Sequence, residues 1–204
     1  MENLNIDGIN NIDSVKELFS SVKCIEDENC FLVVYNRDYV ADFNGNQALT
    51  NNATIVGAKN GGIAGGIAGG IIANSIGNAV QEAVNDFNSK LNDKQRIIFD
   101  TSLYCGFLIN VTSKGLGVIP LTNNIKLLLK VKYFKTDIDN FVFFNNDEIE
   151  KMEIQKLPLR FSTKKLAIHF KDLDDANTPW TLPTKHKLIS YQEENYNKLV
   201  QKLS

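Results

Sequence analysis

Residues 147–170, DEIEKMEIQKLPLRFSTKKLAIHF, and residues 190–203, SYQEENYNKLVQKL, decide how this chain is read. Within Lys165–Phe170, Leu166, Ile168 and Phe170 alternate with Lys165, Ala167 and His169. That period of two marks a half-buried strand. Upstream, residues 147–156 turn Ile149, Met152 and Ile154 inward as a preceding strand, and Pro179 and Pro183 bracket a short apolar piece, Trp180–Leu182. Trp180 reads as a core side chain ahead of an interfacial anchor. Ser190 with Glu193 three residues on has the pattern of a capping box opening a helix. Tyr196, Leu199, Val200 and Leu203 give that helix an apolar face. Strands in succession, closed by one amphipathic helix, predict an α+β domain.

These residues resemble bacterial PH-like (GRAM-like) domains. Glu148-Ile149, Lys151 and Ile154 answer to an acidic E-I-x-K-x-x-I strand, and Ser162–Ile168 to an S-T-K-K-L-x-I strand. The resemblance covers residues 145–203 well and the earlier hairpins loosely. It implies a bent antiparallel sheet or partly open barrel with a C-terminal capping helix. It further implies binding to a lipid headgroup, a peptide or a protein partner, and no catalysis.

Farther from the C-terminus, Asn11–Lys23 places Val15, Leu18, Phe19 and Val22 on one helical stripe. Phe31–Tyr35 and Tyr39–Phe43, separated by Asn36-Arg37-Asp38, predict a hairpin. Residues 81–100 suit a single helix, with Val84, Phe87 and Leu91 at helical spacing. Residues 103–111 and 116–120 flank a turn at Ser113–Gly115, a second hairpin; residues 125–134 read as one partly buried strand and 141–144 as a short one. The expected organisation is an N-terminal helix and first strands over 1–56, an inserted glycine-zipper helical segment over 57–100, and the rest of the PH-like domain with its C-terminal helix over 101–204.

The insert is the most unusual stretch. Residues 57–80 read GAKNGGIAGGIAGGIIANSIGNAV, in which Gly61, Gly65, Gly69, Ala73 and Gly77 recur every four residues. On a helix such small residues form one face, where a second backbone can approach closely. Ile63, Ile67 and Ile71, with Ile72 and Ile76 slightly turned, occupy the opposite face and would meet lipid or an apolar groove. No charge occurs over the 22 residues from 60 to 81, roughly 33 Å of helix at ~1.5 Å per residue. Seven glycines between Gly61 and Gly77 disfavour that helix in water by about 7 kcal/mol. A partner helix, a lipid environment or the protein's own sheet must therefore compensate. The glycines are no phosphate loop: no Gly-Lys-Ser/Thr closes them, and the GGxxGG spacing is wrong for a dinucleotide fingerprint.

Charge and chemistry narrow the function. Lys plus Arg number 22 against 24 Asp plus Glu, a net charge of −2, without the basic excess of a nucleic-acid binder. The charge is uneven: residues 1–56 carry three basic and nine acidic side chains, whereas residues 151–204 carry ten basic and six acidic. Lys164, Lys165, Lys185 and Lys187 are the candidate contacts to an anionic surface. Cys24, Cys30 and Cys105 are odd in number and lack paired spacing, so neither a disulfide framework nor a zinc site is expected. His169 and His186 have no partner in a recognisable motif and read as surface residues; Cys105 reads as core. Asp172, Asp174 and Asp175 lack the glycine and closing glutamate of a calcium loop. No catalytic residue, metal or cofactor is expected.

The first ten residues, MENLNIDGIN, hold no base and no secretory signal, so the expected location is the cytoplasm, at the inner face of the membrane. The functional expectation is a non-enzymatic PH-like binding or scaffolding module that associates with a membrane or with another copy of itself through the glycine zipper. The alternative is a fully soluble peptide- or small-ligand-binding domain with the glycine-rich helix packed into its own fold.

Overall fold

The computed structural model describes residues 5–6, 9–36, 86–100, 103–126, 131–157, 160–173, 176–178 and 180–204. In chain order the elements are β1 (Asn5–Ile6), α1 (Ile12–Ser21), β2 (Asn29–Asn36), α2 (Asp93–Phe99), β3 (Gly106–Thr112), β4 (Gly115–Lys126), β5 (Val131–Thr136), a 3-10 turn (Ile138–Asn140), β6 (Val142–Asn145), β7 (Ile149–Leu157), β8 (Arg160–Phe170), β9 (Trp180–Pro183) and α3 (Gln192–Leu203). The strands form one sheet in the order β1-β5-β4-β3-β2-β9-β8-β7, with β6 continuing beside β4. All pairings are antiparallel except β1 on β5. Among the described residues no ladder joins β7 to β1, so the sheet is open. The fold is α+β, an antiparallel sheet with a C-terminal helix.

The middle of this sheet is buried on both faces. Cys30, Leu32 and Val34 of β2 join one core with Phe107, Ile109, Val118, Leu166, Ile168, Trp180 and Leu199. Phe31, Val33 and Tyr35 join a second with Val15, Phe19, Leu108, Ile119 and Phe134. A strand buried on both sides has no polar positions to alternate, which is why residues 31–35 read as an unbroken apolar run.

The second core exists because α1 lies on the outside of the sheet. Its start is fixed by Asn11, whose side chain accepts the Ser14 N–H at 2.9 Å. Its end is a Schellman closure: the Cys24 N–H donates to the Phe19 carbonyl at 2.8 Å and the Lys23 N–H to the Ser20 carbonyl at 3.0 Å. Lys23 accordingly adopts a left-handed φ of 56°. The layer sits so close to β4 that a Cβ on Gly117 would stand 2.5 Å from Cys24 Sγ and 3.4 Å from the Phe19 ring. Only a residue without a side chain lets this helix dock.

Several elements differ from the sequence expectation, each for a local reason. Tyr39–Phe43 and Val84 lie outside the described residues; β2 pairs instead with β3 and, through Tyr35 and Asn36, with β9. The single helix over 81–100 is two: residues 86–90 are helical, the chain breaks at 91–92, and α2 restarts. Asn92 causes the restart through a capping box with Gln95, and buried Leu91 drops into the core between the two pieces. Residues 125–134 are two strands, since Ile125 pairs with Lys132 and Lys126 with Val131 as β4 turns back into β5.

The expected Ser190 capping box is absent. Ser190 Oγ donates to the Asn10 carbonyl at 3.3 Å, and Tyr191, the N-cap, makes no side-chain cap. In its place Gln192 bonds the sheet. Its Oε1 accepts from the Val33 N–H at 2.9 Å, while its Nε2 donates to the carbonyls of Val33 at 3.0 Å and Pro183 at 2.9 Å. One side-chain amide thus completes a rung where β2 and β9 diverge. The inward set of β7 is as expected: a register shift between Ile149 and Lys151 lets Ile149, Met152 and Ile154 all pack on the first core despite their odd spacing.

Candidate functional site

The antiparallel register of β7, β8 and β9 determines where the candidate lysines stand. Lys156 lies directly opposite Lys164, Gln155 opposite Lys165, and Lys164 opposite Leu182. Adjacent residues of a strand point to opposite faces, so Lys164 shares the side of Leu166, whereas Lys165 shares that of Ala167. The strand therefore does not gather Lys164 and Lys165 onto one face. Beyond β9, the Thr184 N–H donates to the Ser162 carbonyl at 3.0 Å, which holds the following residues against the start of β8. There His186 turns inward and leaves Lys185 and Lys187 exposed on either side of it.

Lys156 is the addition that the sequence reading missed; only the hairpin register brings it onto Lys164. A like-charged pair directly across a ladder is unfavourable. Five other described lysines have a carboxylate partner: Lys90 with Asp86, Lys94 with Glu148, Lys114 with Glu26, Lys151 with Glu153 and Lys198 with Glu194; Lys16, Lys23, Lys135, Lys171 and Lys202 have none among the described residues. Among the described residues, Lys156, Lys164, Lys185 and Lys187 have no carboxylate partner.

The titratable groups carry no activated nucleophile among the described residues. His186 sits beside Tyr35, with its Nε2 3.3 Å from the phenol oxygen, and its Nδ1 accepts the Leu188 N–H at 3.2 Å. Burial pushes its pKa down to about 4, so it is neutral at pH 7 and structural rather than a surface residue. His169 is half-buried, with Nε2 3.3 Å from Glu153 Oε1. Glu153 also takes Lys151 Nζ at 2.6 Å and Gln155 Nε2 at 2.7 Å. Those donors, Lys151 foremost, hold its carboxyl down to about 2, too acidic for a general base. Burial raises the Cys24 and Cys30 thiols to about 11 and Cys105 to about 12, the opposite of a reactive thiolate. Asp172 accepts from Gln95 Nε2 at 2.7 Å and Asn92 Nδ2 at 3.3 Å, and so anchors α2; Asp174 and Asp175 lie outside the described residues. Trp180 is fully buried, its ring 5.0 Å from Phe107.

Gly61, Gly65, Gly69, Ala73 and Gly77, together with Ile63, Ile67, Ile71 and Ile76, lie outside the described residues. Among the described residues no helix is long and apolar enough to cross a membrane, and no cluster of three or more His, Cys, Asp or Glu has the arrangement of a metal site. A cavity of about 410 Å³ opens between the end of α3, the β3–β4 turn and β7. No family model, curated protein or solved structure matches the chain.

Proposed function

We propose that this chain is a non-enzymatic PH-like binding module that works at an anionic membrane surface. Lys156, Lys164, Lys185 and Lys187 make the contact, and the Gly61–Gly77 face associates with a second copy within or upon the lipid. The observation that carries the reading is the Lys156–Lys164 rung, two lysines directly opposite each other across a ladder with no carboxylate partner among the described residues. Such a pair is favourable once phosphates or carboxylates from outside lie between the two ammonium groups. The α+β frame with its C-terminal helix is compatible with the PH-like resemblance of residues 145–203, and the cytoplasmic face of the membrane is the matching location.

The test is flotation of the full chain with phosphatidylcholine vesicles containing or lacking phosphatidylserine. The expected result is flotation only with phosphatidylserine, weakened by salt and by Lys156→Glu with Lys164→Glu. Flotation that ignores lipid charge contradicts the lysine surface. For the glycine face, Gly65→Leu with Gly69→Leu is expected to abolish the association of chains in detergent; an unchanged oligomer size contradicts it.

A further inference from the structure

The cavity at the end of α3 is separate from the lysine rung and has its own chemistry. Its apolar floor, Val111 of β3, Ile149 and Met152 of β7, and Leu203 of α3, is bordered by the polar Thr112, Ser113 and Asn146. Two charges of opposite sign line it, Lys202 and Glu28. Lys202 Nζ donates to the Thr112 carbonyl at 3.1 Å, which places the ammonium while using one of its three N–H donors. Glu28 is exposed and has no hydrogen-bond or ion-pair partner among the described residues. The two charges are not paired with each other, although they border the same space.

We infer that this cavity binds a free α-amino acid with a bulky apolar side chain. The ligand's carboxylate meets Lys202, its ammonium meets Glu28, and its side chain lies on Val111, Ile149, Met152 and Leu203. Charge complementarity selects this class. An alkyl carboxylate on the same floor would satisfy Lys202 and face the Glu28 carboxylate without a cation between them. An alkylamine would satisfy Glu28 and stand against Lys202. A zwitterion answers both at once, and the apolar floor favours leucine over glycine by the surface its side chain removes from water. The volume of about 410 Å³ lies within the range of small-ligand sites, ~300–1,000 Å³.

Methionine provides the readout, since the chain has only two, Met1 and Met152. The full chain, labelled with ¹³C at the methionine methyls, is titrated in separate samples with L-leucine, hexanoate and isoamylamine. The expected result is a saturable shift of the Met152 methyl with leucine, and binding of the two singly charged probes about tenfold weaker or absent, as the loss of one charge-assisted contact implies. Glu28→Gln and Lys202→Gln, both exposed positions, are expected to weaken leucine about tenfold each, with melting temperatures confirming that both variants remain folded. Equal binding of the three probes, leucine binding unchanged in both variants, or no leucine-induced shift of Met152 overturns the proposal. None of these outcomes bears on vesicle flotation, so the two readings stand or fall separately.

Discussion

Two hairpins of the same sheet show how differently one topology can be used. Between β3 and β4 lies a tight turn, and every residue of β3 from Gly106 to Thr112 is buried. The strands β7 and β8 also pair antiparallel, yet β7 exposes Glu150, Lys151 and Lys156 and only half-buries its apolar set. The difference is what lies on the second face. The β3–β4 hairpin has a core on each side, with α1 and Phe134 covering the outside. The described residues of β7 have the first core on one side and a polar network on the other. Burial is concentrated in the first hairpin and exposed charge in the second.

Substitutions can break that comparison. The largest effect is expected at Phe107, fully buried and packed at a tilt against the Trp180 ring. Phe107→Ala should remove about 3–5 kcal/mol of stability, read as a shift in urea midpoint, while the same truncation at half-buried Ile154 should cost clearly less. Equal losses at the two sites would mean that the β7–β8 hairpin is as much a part of the core as β3–β4.

Next comes Gln192, whose amide joins Val33 and Pro183. Gln192→Leu keeps the side-chain bulk but strands buried backbone groups, and a loss of about 2–3 kcal/mol is expected. Hydrogen exchange should show the Val33 amide as the first to lose protection; an unaltered Val33 amide would show that the rung adds nothing to the β2–β9 junction.

A gentler lever is pH. The folded state holds His186 down to about 4 from an ordinary 6.5, so between these values the unfolded chain binds more protons than the folded one. Its contribution is fully present above pH 6.5 and is lost as pH falls toward 4. Glu153, held down to about 2 from 4.5, adds its own loss only below pH 4.5. Urea midpoints measured from pH 7 to pH 4.5 should therefore fall in the wild type and fall less in His186→Gln. Parallel curves would remove His186 as the cause.

How much of this was legible in the sequence follows from the same two hairpins. The alternation of Leu166, Ile168 and Phe170 was readable because one face of β8 packs on the first core and the other does not. The apolar stripe of α1 was readable for the same reason. In contrast, residues 125–134 carried no period that could reveal a reversal between Lys126 and Val131. Gln192 and Asn195 were unreadable as buried positions, because polar residues on a helix ordinarily mark its wet side, and here Gln192 completes a β rung. Lys164, Lys165, Lys185 and Lys187 were readable in the sequence only as cations of a basic region, with no sign of which face each takes. Lys156 was missed, since pairing across a hairpin depends on a register that the bulge in β7 and the irregularity near Leu157 disturb.

On the proposed reading, the β7–β8 hairpin keeps unpaired cations for use at the expense of stability. The direct test is one double variant, Lys156→Gln with Lys164→Gln, examined for both properties at once. Relief of a like-charged cross-strand pair should raise stability by about 0.2–1 kcal/mol, while flotation with phosphatidylserine vesicles should be lost. A variant that floats as well as the wild type, or that is destabilised as it loses binding, would contradict the claim.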